Sequence, residues 1–132
     1  MKHQTINVMI ADDHPLLRSG IASVLASNPQ FSVVAEACDG SSAVELFAQH
    51  RPHITLMDLQ MPGLNGVEAT RAIRLIDPHA LIIILTTFDG DVQVARSLQA
   101  GASGYILKNQ ARNDLSNYIC LLYTSPSPRD RG

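Results

Sequence analysis

The chain has 132 residues, of which 45% are apolar, with a formal net charge of -2 and two cysteines. That length and apolar content suit one domain with a real core. The slightly acidic balance, with no cluster of Lys and Arg, argues against a broad nucleic-acid surface, and the longest apolar run, Ala80 to Leu85, is far too short to span a membrane.

Met1-Lys-His-Gln lacks the apolar region of a signal peptide, so a cytoplasmic protein without membrane association is expected. Cys38 and Cys120 have neither metal nor redox spacing. The histidines are scattered, and the closest pair, His50 and His53, straddles the helix-breaking Pro52, so no metal-binding role is assigned to them.

Thr5 to Ala11 is an apolar, β-branched run that reads as a first strand and ends on Asp12-Asp13. Pro15 then suits the first turn of a helix whose inner face is Leu17, Ile21, Val24 and Leu25, ending near Ser27. Phe31 to Ala37 is a second strand. A second helix follows, with Ser41 or Ser42 as N-cap and Val44, Phe47 and Ala48 inside.

The third strand is Ile54 to Asp58, stopped by Met61-Pro62-Gly63. A third helix runs from about Asn65 to Ile76, with Ala69, Ile73 and Ile76 on one face and Asp77-Pro78 at its end. Leu81 to Leu85 is the most hydrophobic strand and leads into Thr86-Thr87. Val94 and Leu98 face inward on a fourth helix closed by Gly101, Gly104 to Leu107 is a fifth strand ending on Lys108, and Leu115 and Ile119 begin a fifth helix. Strands alternating with helices of this length imply right-handed βαβ units and a parallel sheet covered on both faces, a doubly wound α/β fold.

In such a sheet all carboxyl ends lie on one edge, where ligand sites form. Asp12, Asp13, Asp58, Thr86 and Lys108 all stand at strand ends. Taken singly, each has a plainer reading: a helix cap, a turn aspartate, a strand-end hydroxyl, a solvated lysine. Jointly, four strands ending in complementary chemistry point to one site. Three carboxylates repel one another unless a cation sits among them, and Mg²⁺, a hard ion that takes oxygen ligands beside phosphoryl groups, is the natural one. An ionised Asp58 beside a cation and Lys108 is equipped to attack phosphorus, with Thr86 donating to a phosphoryl oxygen.

The motifs Ile10-Ala-Asp-Asp13, Met57-Asp58-Leu-Gln-Met-Pro62-Gly63, Leu85-Thr86-Thr87-Phe88 and Gly101-Ala-Ser-Gly-Tyr105-Ile-Leu-Lys108 resemble those of the receiver domain of bacterial two-component response regulators. The likeness covers about residues 5 to 119. Asp13-His14-Pro15-Leu-Leu-Arg-Ser-Gly20 and Leu85-Thr-Thr-Phe-Asp89 look like the NarL/FixJ subgroup with LuxR-type output, whose members usually continue into a helix-turn-helix DNA-binding domain.

The resemblance implies a flavodoxin-like (βα)5 sheet in the order 2-1-3-4-5. It implies Asp58 as phosphoacceptor, with Asp13 a direct Mg²⁺ ligand, Asp12 a ligand through water, and the Gln60 backbone carbonyl the remaining protein ligand. Thr86 and Tyr105 would be the switch pair, and Lys108 the phosphate contact. The expected partners are a sensor histidine kinase and a second copy on phosphorylation, with DNA bound only through a C-terminal domain missing here. The sequence departs from many receivers at Asn109, where a proline following a cis bond is common, and Gln60 and Phe88 occupy variable positions beside the phosphoryl site.

Three other functions compete with a phosphorelay receiver. One is a stand-alone receiver, and another a receiver-like scaffold never phosphorylated. The third is a Mg²⁺-dependent phosphohydrolase with an aspartyl-phosphate intermediate, which would be expected to carry Asp-x-Asp after strand one rather than Asp12-Asp13-His14. A true receiver promotes only its own phosphorylation and dephosphorylation and is not a conventional enzyme. Finally, Cys120 to Asp130 back-translates to a sequence resembling the transposon-end adapter of shotgun libraries. The expected division is therefore a receiver over residues 1–119 and a non-native tail over residues 120–132.

Overall fold

The most apolar stretch, Leu81–Thr86, is a strand buried on both faces: Ile82 and Ile84 enter one hydrophobic cluster, Ile83 and Leu85 the other. Each fully buried aliphatic side chain contributes roughly 1.5–3 kcal/mol, so a continuous run pays off only where both faces are covered. The computed structural model describes residues 5–88, 90 and 92–124. Its strands are β1 (Ile6–Ala11), β2 (Phe31–Ala37), β3 (Ile54–Asp58), β4 (Leu81–Thr86) and β5 (Gly104–Leu107). All pair in parallel, in the order β2-β1-β3-β4-β5, as expected for the doubly wound sheet.

The helices are α1 (Pro15–Ala26), α2 (Gly40–His50), α3 (Gly66–Ile76), α4 (Val92–Ala100) and α5 (Lys108–Thr124). Ile21 and Leu25 of α1 join Leu115 and Ile119 of α5 in the cluster on one face. Phe47 of α2, Ile73 of α3 and Val94 of α4 join the cluster on the other. Pro15 stands at the start of α1, and Asn65 and Glu68 form a reciprocal capping box on α3, the Asn65 side chain accepting from Glu68 N–H and Glu68 accepting from Asn65 N–H.

Several local expectations are corrected. The N-cap of α2 is Asp39, not Ser41 or Ser42; its carboxylate accepts the Ser42 N–H at 2.7 Å, which holds the Asp39 carboxyl below the usual carboxylate range. The inner face of α2 is Gly40, Ala43 and Phe47, with Val44 half-buried and Ala48 exposed. A Cβ on Gly40 would run into the Leu64 carbonyl oxygen, so the start of α2 lies hard against the loop after β3 and fixes the helix rotation.

On α4, Leu98 is exposed and Ser97 is buried in its place, its Oγ donating to Val94 O at 2.7 Å; a hydroxyl that bonds its own helix can enter a core that hydropathy assigns to leucine. Helix α5 begins at Lys108, well before Leu115, because Ala111 supplies a buried first turn among polar neighbours. Among the described residues no peptide bond is cis, so Asn109 continues from Lys108 straight into this helix. The tail reading falls partly outside the described residues: 125–132 are not among them, while Leu122 packs against the α1 and α5 cluster.

Candidate functional site

Sheet register sets the site. Ala11 pairs with Met57, Asp58 with Leu85, and Thr86 with Leu107. The next residues along, Asp12, Thr86 and Lys108, therefore emerge with Asp58 at one edge, as parallel strands require. Asp12 is fully buried and Asp58 nearly so, whereas Asp13 is partly exposed.

Lys108 Nζ lies 3.1 Å from Asp58 Oδ1 and 3.3 Å from Asp12 Oδ2, joining two strand ends by one charge. The contact with Asp12 Oδ2 lacks hydrogen-bond alignment, and that oxygen, with Asp13 Oδ1 and Asp58 Oδ2, is buried without a hydrogen-bond partner. Buried oxygens are normally partnered, so three carboxylate oxygens without a hydrogen bond leave room in this cluster for positive charge beyond Lys108. Asp12, Asp13, His14 and Asp58 each offer a donor atom, all within 4.8 Å of one another. The three carboxylates of this set suit a hard dication.

Burial pushes the Asp58 carboxyl up to about 6; the Asp12 charge adds to the rise, while Lys108 and the Gln60 N–H, 3.4 Å from Asp58 Oδ1, oppose it. Asp12 is held from behind as well: Arg18 donates to its backbone carbonyl at 2.6 Å and pairs with Glu36 at 3.2 Å. Gln60, Thr86 and Lys108 line the same pocket as Asp58. The Thr86 hydroxyl is turned onto its own loop, donating to Phe88 O at 3.2 Å and accepting from Phe88 N–H at 3.3 Å.

Tyr105 is not in this pocket. It is partly exposed and lines a separate cleft with Gln110, Asp114 and Tyr118. His53 serves the fold, its Nδ1 accepting the Asn7 N–H at 2.9 Å, and neither it nor His50 belongs to a ligand cluster among the described residues.

The residue that sequence reasoning passed over is His14. It carries no apolar or spacing signature, and its adjacency to Asp12-Asp13 was the available clue. Its ring Nδ1 lies 3.0 Å from Asp12 Oδ1, 3.2 Å from Asp13 Oδ1 and 4.0 Å from Asp58 Oδ2.

Gly66 ties α3 to the site. Its N–H donates to Leu59 O at 3.0 Å, and a Cβ there would strike the Asp58 carbonyl oxygen and stand 2.8 Å from Leu59 Cα. Backbone cannot yield as a side chain does, so Gly66→Ala should cost about 1–3 kcal/mol and displace Asp58. Urea unfolding and Mg²⁺ titration check this; an unchanged midpoint with unchanged Mg²⁺ affinity would show the contact to be slack.

Known proteins resemble this chain in sequence and in fold. A family model for the response regulator receiver domain matches residues 8–120. The chain is 45% identical over 103 residues to the transcriptional regulatory protein DegU of Brevibacillus brevis, covering 78% of this chain and 44% of that protein. It is 40% identical over 116 residues to the transcriptional regulatory protein LiaR of Bacillus subtilis, covering 86% of this chain and 54% of that one. The chain thus spans about half the length of these curated relatives. The solved signal receiver domain of the putative response regulator NarL from Mycobacterium tuberculosis superposes with a TM-score of 0.84 at 31% identity, covering 92% of this chain and 98% of that one.

Proposed function

The chain belongs to the response regulator receiver domain family, and from that premise we propose that Asp58 accepts a phosphoryl group from a sensor histidine kinase and thereby switches a transcriptional regulator. Its relatives are NarL- and LuxR-type regulators, so its place is in phosphorelay signalling. The observation that carries the assignment to Asp58 is its position: buried, 3.1 Å from Lys108, with one oxygen unpartnered in a pocket open to solvent.

In this reading an Asp58 oxygen forms a bond to phosphorus while the donor's bond breaks. The leaving group, an imidazole from phosphohistidine or acetate from acetyl phosphate, departs with the electron pair. Lys108 balances charge on the transferred group, and Thr86 leaves its Phe88 contact to donate to a phosphoryl oxygen. Receiver domains generally bind Mg²⁺ in the acidic pocket, and here Asp13, Asp58, Asp12 through water and the Gln60 carbonyl would hold it. When bound, the ion neutralises charge on the phosphoryl oxygens.

DNA binding would belong to a further domain, as the relatives, which are transcriptional regulatory proteins, suggest. No helix of the described residues is long and apolar enough to cross a membrane. The reading of residues 120–132 as adapter-derived rests on their back-translation, and resequencing the source locus tests it.

Acetyl phosphate with Mg²⁺ should add one phosphoryl mass per chain, a chelator should prevent it, and a generic phosphate ester should not be turned over. Sustained ester turnover would instead favour the phosphohydrolase. Thr86→Ala should keep phosphoryl acceptance but weaken the response around α4 and β5, because a bistable element must carry the signal outward to Tyr105. Amide exchange over residues 86–108 reads this; identical exchange with and without a phosphoryl mimic in the unsubstituted protein would contradict the coupling.

A further inference from the structure

The His14 ring is unusually placed. At an octahedral dication with bonds of about 2.1 Å, neighbouring ligand atoms lie roughly 3.0 Å apart and opposite ones roughly 4.2 Å. His14 Nδ1 is 3.2 Å from Asp13 Oδ1, the spacing of neighbours, and 4.0 Å from Asp58 Oδ2, near the spacing of opposites, while its 3.0 Å contact with Asp12 Oδ1 has the length of a hydrogen bond. Asp58 Oδ2 is itself buried without a hydrogen-bond partner, an observation that does not depend on the ring.

The backbone explains why the ring points inward. His14 is the N-cap residue of α1 in extended conformation, yet its side chain makes no capping bond. Its N–H instead donates to Asp12 Oδ1 at 2.8 Å, and this folds residues 12–14 into a tight turn with the ring over the acidic pocket. The side chain is 63% exposed, and its Nδ1 is held over the pocket at hydrogen-bond distance, 3.0 Å, from Asp12 Oδ1.

We propose that His14 is a side-chain ligand of the cation site and that its nitrogen tilts the site towards divalent first-row transition ions over Mg²⁺. The proposal rests on the acidic pocket being a cation site. An imidazole nitrogen is a borderline donor that gains affinity along the transition series, while Mg²⁺ prefers an all-oxygen shell and gains little from it. A phosphoryl-accepting site with this ligand set should be supported by Mn²⁺ at concentrations where Mg²⁺ binds weakly.

The test uses the full chain with Mn²⁺ and Mg²⁺ as probes. Electron spin echo modulation of bound Mn²⁺ should show an imidazole nitrogen, and His14→Ala should remove that signal. The same substitution should weaken Mn²⁺ binding on the order of tenfold while moving the Mg²⁺ constant much less. His14 is exposed, and circular dichroism of His14→Ala checks that it folds. Asp58→Asn, measured alongside, should weaken binding of both ions. If Mn²⁺ binds through Asp58 but shows no imidazole signal, or if the Mn²⁺ to Mg²⁺ ratio is the same without His14, the proposal is overturned while the acidic site stands. If neither ion binds, both the proposal and the reading of the pocket as a cation site fall.

Discussion

Asp58→Asn should abolish phosphoryl acceptance and at the same time stabilise the metal-free fold. Loss of acceptance follows because an amide oxygen is a poor nucleophile. The gain in stability follows from burial, which raises the Asp58 carboxyl to about 6 from an ordinary 3.8. A folded-state pKa above the unfolded value means that the neutral acid is favoured in the fold, so the ionised form costs stability. That cost is fully present above about pH 6 and fades as the pH falls towards 3.8.

Its ceiling is about 3 kcal/mol, and on the order of 1–2 kcal/mol once screening on the open side of the pocket is counted. In chelator at pH near 7.5 the variant should therefore melt at a higher temperature than the unsubstituted chain, and near pH 4 the two should converge. Mg²⁺ should raise the melting temperature of the unsubstituted chain more than that of the variant, because ligation rewards the ionised carboxylate. A variant less stable at neutral pH in chelator would mean that Lys108 already satisfies Asp58 and that no strain is held there.

Lys108→Ala should act in two opposite directions. The ammonium contacts Asp58 at 3.1 Å and Asp12 at 3.3 Å, so it is placed to steady charge on an incoming phosphoryl group. Removing such a donor should slow phosphorylation by acetyl phosphate on the order of a hundredfold to a thousandfold at saturating Mg²⁺. The same loss removes a cation that competes for the carboxylates, so Mg²⁺ should bind more tightly. Lys108→Arg should restore little, since a planar guanidinium cannot place one point charge between two carboxylates. Time courses by intact mass and titration calorimetry read the two effects separately. Unchanged rate and weaker Mg²⁺ binding together would make Lys108 a structural counter-ion only.

Much of this was legible in the chain because parallel strands buried on both faces leave unbroken apolar runs. Leu81 to Leu85 and Val8 to Ala11 announce themselves, and the polar residue that follows each run marks the site edge. Helix faces were harder. Leu98 outranks Ser97 in hydropathy, yet Ser97 is inside because its hydroxyl is satisfied within α4. Ala48 and Ala43 are the same residue type, and it is the close approach of Gly40 to Leu64 that decides between them.

The early start of α5 was hidden because Ala111 is a weak hydrophobic signal among polar neighbours. In the site itself, Asp12, Asp13, Asp58, Thr86 and Lys108 were readable from strand ends. His14 was not, since its role depends on a tight turn over a pocket and on no periodicity. Tyr105 was expected to act as a switch with Thr86; it lines a cleft with Gln110, Asp114 and Tyr118, while Thr86 lines the acidic pocket.

The central claim, that Asp58 is the phosphoacceptor, is tested most directly by chemical mapping. The chain is treated with acetyl phosphate and Mg²⁺, the acyl phosphate is reduced with borohydride, and the product is sequenced by tandem mass spectrometry. Reduction converts a phosphorylated aspartate to homoserine and leaves free carboxylates unchanged. Homoserine at position 58 alone, absent when Mg²⁺ is chelated, is the expected result; homoserine at position 12 or 13, or none after full incubation, would contradict it.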